Sequence, residues 1–302
     1  HDQSSAASDV YKRQDPDFME SIWWVFSQLW DQGRIYKAHR IMPYSWKLNT
    51  PLSNFEAGRN YQDVQDPAIT VKIRLIDFEI QNVDALVWTT TPWTLPANLA
   101  VCVGSEIDYA VVQDKKDNSI FLLAQARLQA YYKNDDDFKI LKSLKGENLK
   151  GIKYEPIFDD YKSHNNAFVI LVDSFVSTDD GTGIVHMAPA YGEDDYRICR
   201  QSNIDIVDPL NEDCVFTEEI SWLKDKFCKD ADKEIISLLK TNDQLVHQST
   251  IQHSYPFCER TDTPLIYRAI DAWYVRVEDL REKMINHNNQ VHWMPGLSLI
   301  HI

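Results

Sequence analysis

Two segments constrain this chain more than anything else in it. They are Trp88-Thr-Thr-Thr-Pro-Trp-Thr-Leu-Pro-Ala-Asn98 and Gly181-Thr-Gly-Ile-Val-His-Met-Ala-Pro-Ala-Tyr-Gly-Glu-Asp-Asp-Tyr196. Each puts small hydroxyls, prolines and glycines directly after an apolar, strand-like run. Ordinary core sequence rarely spends four threonines, an Asn, a His and adjacent acids in this way. The pattern predicts two strand ends whose polar residues do chemistry rather than packing.

In the first segment, a strand over 85–89 delivers Thr89, Thr90 and Thr91 to a chain held extended before Pro92, because a residue preceding proline avoids the helical region. Trp93, Thr94 and Pro96 keep the stretch stiff. Its hydroxyls and backbone N–H groups then serve as fixed donors and acceptors around a ribose or an ester carbonyl. A β-branched strand end with a proline-rich turn has the same composition. In the second segment His186 closes a glycine-framed strand, and Asp194 and Asp195 open the next helix, where the dipole favours acids in any case. Taken singly, each has a structural reading. Together, a His, a sharp Ala188-Pro-Ala190 turn and an acid at a helix start converge on one cleft.

No Gly-x-Ser-x-Gly elbow, His-Glu-x-x-His or phosphate loop occurs in the sequence. A positioned water is therefore a better hydrolytic agent here than a Ser or Cys nucleophile, and no metal centre is expected. The five cysteines (Cys102, Cys199, Cys214, Cys228, Cys258) are scattered without a Cys-x-x-Cys pair, which suits a reducing cytosol. The net charge of −15 implies weak non-specific binding to nucleic acid, since phosphate affinity comes from clustered Lys and Arg. No apolar run approaches the ~20 residues that span a bilayer, so no membrane partner is expected.

Along the chain, Asp15-Pro-Asp17 starts a helix over 18–32 that Gly33 stops, with positions 18, 22, 25, 26 and 29 forming a buried face. Residues 35–67 read as loop-rich, punctuated by Pro43, Pro51 and Pro67. Strands are expected over 69–75, 85–89, 109–112, 120–123, 167–172, 183–186, 265–269 and 273–277. Helices are expected over 193–201, 231–240 and from Glu278. Strands outnumber helices between 66 and 250 and mostly lack crossover helices, which predicts an α+β fold with a largely antiparallel, barrel-like sheet. Residues 1–14 and 297–302 share no pattern with their neighbours and are expected to be a non-native leader and tail.

The two segments resemble the editing motifs of isoleucyl-tRNA synthetases. The valyl and leucyl relatives carry an Arg where this chain has Thr91. The resemblance extends through Trp24–Phe55 and Tyr255–Val277, and Ser177-Thr-Asp-Asp-Gly181 is closer to the eukaryotic cytosolic form than to the bacterial one. It implies a connective polypeptide with an inbound segment at 15–65, an editing domain at 66–250 and a return segment at 251–296 leading to a Rossmann catalytic domain. By the same resemblance Thr89, Thr90, Thr91 and Thr94, beside Trp88, line the site for the terminal adenosine and the water. Asn98 supports that peptide, His186 shapes the side-chain pocket, and Asp195, with Asp194 beside it, meets the substrate's α-ammonium.

The implied partners are the valine-charged acceptor end of tRNA(Ile) and the rest of the synthetase, in the cytoplasm. The His-x-Gly-His and Lys-Met-Ser-Lys-Ser motifs of the synthetic site do not occur in this sequence. ATP and Mg2+ are accordingly expected only in the parent's synthetic domain, with no cofactor for editing. A module that holds the tRNA end without hydrolysing it, and a different hydrolase on the same fold, are the alternatives.

Overall fold

The computed structural model describes residues 14–292. The expected tail at 297–302, and all of the expected leader at 1–14 except its last residue, lie outside that range. The described residues form two compact units, one of residues 14–39 with 271–292 and one of Arg40–Ile270.

In the first unit, helix α1 (Pro16–Asp31) starts as the sequence predicts: the Asp15 carboxylate accepts from the Asp17 N–H at 2.9 Å, with Pro16 in the first turn. Gly33, at φ +66°, ends it. The expected buried face is not there. No residue of α1 is buried, and Trp23 and Trp24 are 68% and 63% exposed. Helical spacing gathers apolar side chains on one face, but only a partner surface buries them, and the described residues supply too little of one.

Strands β1 (Ile35–Ser45) and β13 (Ile266–Val275) belong to a sheet of order β13-β1-β2, with β2 at Thr50–Pro51. This corrects the loop-rich reading of 35–67. Besides β1 and β2, that stretch holds a short helix α2 (Asn54–Ala57), opened by a Ser53–Glu56 capping box, and the start of β3 (Tyr61–Ile76). The prolines misled because each sits where a strand tolerates it. The Pro43 carbonyl accepts from the Leu52 N–H, and Pro67 precedes the part of β3 that has a second strand neighbour. The two strands expected over 265–277 are the single strand β13.

The second unit is dominated by ten strands in the order β12-β3-β9-β10-β5-β11-β4-β7-β6-β8. Their ranges are β3 Tyr61–Ile76, β4 Val83–Thr89, β5 Ala100–Val103, β6 Asp108–Asp114, β7 Ile120–Ala124, β8 Phe138–Lys145, β9 Lys153–Tyr154, β10 Val169–Val172, β11 Ile184–Met187 and β12 Leu245–Pro256. β4 also pairs back onto β3, the second strand of that order, with Ile69 opposite Thr89 and Arg74 opposite Asp84. Only β4–β11, β5–β10 and β4–β7 are parallel. The fold is α+β and mostly sheet, as the strand spacing predicts, with helices α3 (Leu128–Tyr131), α4 (Glu193–Gln201) and α5 (Asp232–Thr241) flanking it. In the first unit a turn at Glu278–Leu280 leads into α6 (Arg281–Asn288).

Strict alternation explains how β3 enters the core: Ile69, Val71, Ile73 and Leu75 point one way, onto Val83, Ala85 and Val87. On the other face of β4, Leu86 packs in a second cluster with Ala110, Val112, Phe121 and Leu123. A strand covered on both sides reads as a continuous apolar run. Its polar end, Thr89, therefore emerges from deep within the sheet.

Candidate functional site

β4 and β11 are parallel neighbours, with Val185 opposite Trp88. Parallel strands end on the same side of a sheet, so the two polar segments leave it together. Trp88 packs flat against Gly181, where a Cβ would meet its ring and Cβ atoms at 2.9–3.0 Å. Gly181 also has φ +65°, and both demands select glycine.

Beyond β4 the backbone tightens into a 3-10 turn, Pro92–Ala97. The Thr91 N–H donates to Thr89 Oγ1 at 3.1 Å, and Thr91 Oγ1 lies 3.3 Å from Thr89 Oγ1 and 3.2 Å from Thr94 Oγ1. The turn is tied from outside. The Trp93 N–H donates to Asp232 Oδ1 at 2.8 Å, at the start of α5. Burial raises the Asp232 carboxyl to about 7.

His186 is 6% exposed and held at both nitrogens, by Thr94 Oγ1 at 2.9 Å from Nε2 and by Asn98 Nδ2 at 2.8 Å from Nδ1. Burial pulls its pKa down to about 3, so the ring is neutral at physiological pH. It is a wall of the site, not a cation in it.

Asp195 sits in the first turn of α4, and its Oδ2 accepts from the Ala188 N–H at 2.7 Å. The carboxylate curls back over Gly192, where an added Cβ would lie 2.6 Å from Asp195 Cγ. Desolvation raises this acid to about 7, which makes it avid for a cation that would restore its charge. Asp194 behaves differently. It is exposed and accepts from Arg197 at 2.8 Å, while Arg197 also clasps Asp173 at 2.9 and 3.1 Å.

One cavity of about 920 Å³ gathers these groups. Trp88, Thr89, Thr90, Thr91, Thr94, His186 and Asp195 all line it. Asn98 and Asp194 do not: Asn98 stands behind His186, and Asp194 turns to its ion pair. The remaining wall comes from stretches in which sequence reading found no function, notably Arg40, Ile41 and Met42 on β1, Tyr255 on β12 and Tyr267 on β13. Those residues sit in strands without a local motif. Only the fold brings them here. Among the described residues, no group of three or more His, Cys, Asp or Glu is placed to hold a metal ion.

A family profile described as tRNA synthetases class I (I, L, M and V) matches residues 7–300. The chain belongs to that family. Among curated class I synthetases it is 46% identical over 292 residues to the cytoplasmic isoleucine–tRNA ligase of Mus musculus, which covers 94% of this chain and 23% of that protein. It is 46% identical over 288 residues to the isoleucine–tRNA ligase of Bdellovibrio bacteriovorus, covering 94% and 27%, so bacterial and eukaryotic members lie equally near. The chain thus spans about a quarter of the length of the synthetases it matches. A crystal structure of the Plasmodium falciparum cytosolic leucyl-tRNA synthetase editing domain aligns at TM-score 0.48 and 13% identity, covering 61% of this chain and 99% of that one.

Proposed function

We propose that residues 66–250 form the editing domain of an isoleucine–tRNA ligase and hydrolyse valyl-tRNA(Ile) in the cytoplasm. The observation that carries this reading is the single cavity in which a threonine rim and His186 are gathered with a desolvated carboxylate at Asp195. That set matches an aminoacyl ester: hydroxyls for the ribose and carbonyl oxygens, a neutral wall for the side chain, and an acid for the α-ammonium.

In the proposed reaction a water oxygen attacks the ester carbonyl carbon, the bond from that carbon to the ribose oxygen breaks, and a water proton ends on that oxygen. The products are valine and a free tRNA 3′ end. Asp195 becomes ionised when the ammonium enters, and the charge-assisted pair anchors the amino acid. An uncharged tRNA end cannot make that contact. His186, held neutral and hydrogen-bonded at both ring nitrogens, limits the size of the side chain. One methylene is worth only ~1–3 kcal/mol to a pocket, a general limit for which this enzyme family is the standard illustration, and a second pocket with the opposite size preference multiplies the discrimination. The tRNA end and the rest of the synthetase are the proposed partners. No step here draws on ATP or Mg2+, which we assign to the parent's synthetic domain.

The test is valine release from valyl-tRNA(Ile), with isoleucyl-tRNA(Ile) and Asp195→Ala alongside. Selective release that falls ~100-fold or more in the variant is expected, as for loss of a charged contact at a reacting centre. Equal release by Asp195→Ala would remove the role given to that carboxylate.

A further inference from the structure

Strand β13 fastens the wall of the cavity at two neighbouring residues, Arg268 and Ala269. The Ala269 N–H donates to the Ala190 carbonyl at 2.6 Å. Arg268 is buried, at 8% exposed, and all three of its nitrogens are committed. Nη2 donates to Asp208 Oδ2 at 2.7 Å and to the Leu210 carbonyl at 2.8 Å. Nε donates to the same Oδ2 at 3.2 Å, and Nη1 to the Asn211 carbonyl at 2.6 Å. The other oxygen of that carboxylate, Asp208 Oδ1, accepts from the Leu210 N–H at 3.2 Å and from the Tyr191 hydroxyl at 2.8 Å.

Both contacts end on one turn. Tyr191 lines the cavity, its ring edge-on to that of Trp93 with centroids 5.0 Å apart. Its N–H donates to the Ala188 carbonyl at 2.9 Å, which closes the turn over residues 188–191. The Ala188 N–H is the donor to Asp195 Oδ2 at 2.7 Å. The turn that presents this donor to the Asp195 carboxylate is therefore gripped twice, at its Ala190 carbonyl and at the tip of Tyr191. Both grips come from β13, and so from outside residues 66–250.

We propose that Arg268 is a positioning residue for the cavity: through Asp208 and Tyr191, beside the Ala269 N–H, it fixes the turn whose Ala188 N–H directs the Asp195 carboxylate. A buried ion pair stabilises a fold little more than an apolar pair of the same shape. What a guanidinium fork adds is direction, because its fixed donors place the oxygens they meet. Without it the turn relaxes, the Ala188 N–H leaves Oδ2, and the acid that meets the α-ammonium is no longer held in place. Residues 66–250 alone are then an incomplete site, and β13 supplies what they lack. This rests on the ester-hydrolysis reading above, in which Asp195 anchors the amino acid.

The experiment combines two readouts on the full chain. The first is a 13C titration of the Asp195 carboxyl, its signal identified by loss in Asp195→Asn. The second is steady-state valine release from valyl-tRNA(Ile). Two variants loosen the turn. Tyr191→Phe removes one hydroxyl, and Tyr191→Phe with Asp208→Leu and Arg268→Met removes the network as a unit, so that neither charge is left buried alone. The unaltered carboxyl is expected to titrate near 7. Loss of the Ala188 N–H, which favours the charged form, raises that midpoint by ~1 in both variants. With it kcat falls ~3-fold in Tyr191→Phe and ~10-fold with the network removed, as for a misplaced anchor. The titratable groups around Asp195 are Asp194 and the thiols of Cys102 on β5 and Cys199 on α4, with Glu193 and His186 lining the same cavity. Neither variant alters them, and unfolding would move the midpoint the other way, toward about 4. An unchanged midpoint in both variants overturns the proposal, and so does a raised midpoint with kcat unchanged. If the triple variant does not fold, Tyr191→Phe decides by the same two readouts. If the midpoint rises as expected but the unaltered chain releases no valine, the hydrolysis reading falls and the positioning of Asp195 stands.

Discussion

Helix α1 and the strand-end site invert the usual relation between polarity and burial. On α1, Phe18, Met19, Ile22, Trp23, Trp24, Val25, Phe26 and Trp30 are all exposed. At the site Thr89, Thr94, Asn98 and His186 are buried. The reason is the same in both places. Burial follows what a side chain can be placed against, not its character. A buried polar atom without a partner costs ~1–3 kcal/mol, and each of these four has partners at 2.7–3.1 Å. An apolar side chain gains ~25 cal/mol for each Å² covered, and α1 has little to cover it. The site is therefore expected to be sensitive to single atoms, and α1 to tolerate whole side chains.

The largest expected effect is at His186. His186→Ala removes a ring that lines the cavity, and to which we assign the limit on side-chain size, and strips partners from both Thr94 and Asn98. Stability should fall by ~3 kcal/mol, read in a denaturant titration. In the surviving folded protein isoleucyl-tRNA(Ile) should become a substrate. Continued rejection of the isoleucyl ester would show that the pocket is bounded elsewhere, with Tyr255 or Met42 as the next residues to change. Asn98→Ala should cost somewhat less, ~2 kcal/mol, because it orphans the Tyr154 hydroxyl, 2.7 Å from Asn98 Oδ1, and His186 Nδ1 without opening the cavity. A cost near zero would mean that water replaces the amide, and that the contrast with α1 is smaller than the geometry implies.

Parts of this contrast are legible in the sequence and parts are not. Thr89–Thr94, His186 and Asp195 stand in two short runs at the ends of apolar strands. Each has a structural use taken singly, but their convergence on one cleft can be read locally, and Thr89, Thr91, Thr94, His186 and Asp195 do line one cavity. Asn98 can be read as support for the threonine peptide, but its grip on the imidazole needs β4 and β11 side by side. Tyr154 and Asp232 are invisible. Each is one residue in an undistinguished stretch, brought to the site by a pairing of distant strands or by the packing of α5. β1 was hidden by Pro43, and β12 by its polar, half-exposed composition, Leu245-Val-His-Gln-Ser-Thr-Ile-Gln-His-Ser-Tyr-Pro256, which a strand can carry only because β3 pairs along nearly all of it. The α1 pattern misled in the opposite way: helical spacing identifies a face, but the sequence of the helix does not contain the surface that would cover it.

Acid–base behaviour sharpens the comparison at a smaller scale. Burial raises Asp195 to about 7, so the free site is increasingly protonated as pH falls below neutrality. kcat/KM for valyl-tRNA(Ile) should then rise from pH 5.5 to 7.5 with an inflection near 7, and Asp195→Asn should flatten that limb. The same shift acts on folding. Asp195 and Asp232, both raised to about 7, bind more protons folded than unfolded between pH 4 and 7, so the part of the stability they govern declines as pH rises through that window. Asp232→Asn keeps an oxygen for the Trp93 N–H and should raise Tm at pH 8 by a few degrees. A lower Tm would mean that the ionised carboxylate is offset by a cation, with Lys229 the nearest candidate.

The smallest effect is expected where the side chains are largest. Trp23→Ser and Trp24→Ser on α1 should each change stability by less than ~0.5 kcal/mol, the range of exposed substitutions, since neither indole is buried in the folded chain. The measurement is a urea titration at two protein concentrations. A loss above ~1 kcal/mol at high concentration alone would mean that copies of the chain cover the face for each other, as mass action requires. A loss at both concentrations would mean that the face is covered within one chain, and α1 would join the site as a place where partners decide burial. No loss at either leaves the inversion intact: in this chain a hydroxyl placed against the right imidazole is held more firmly than two tryptophans on an uncovered helix.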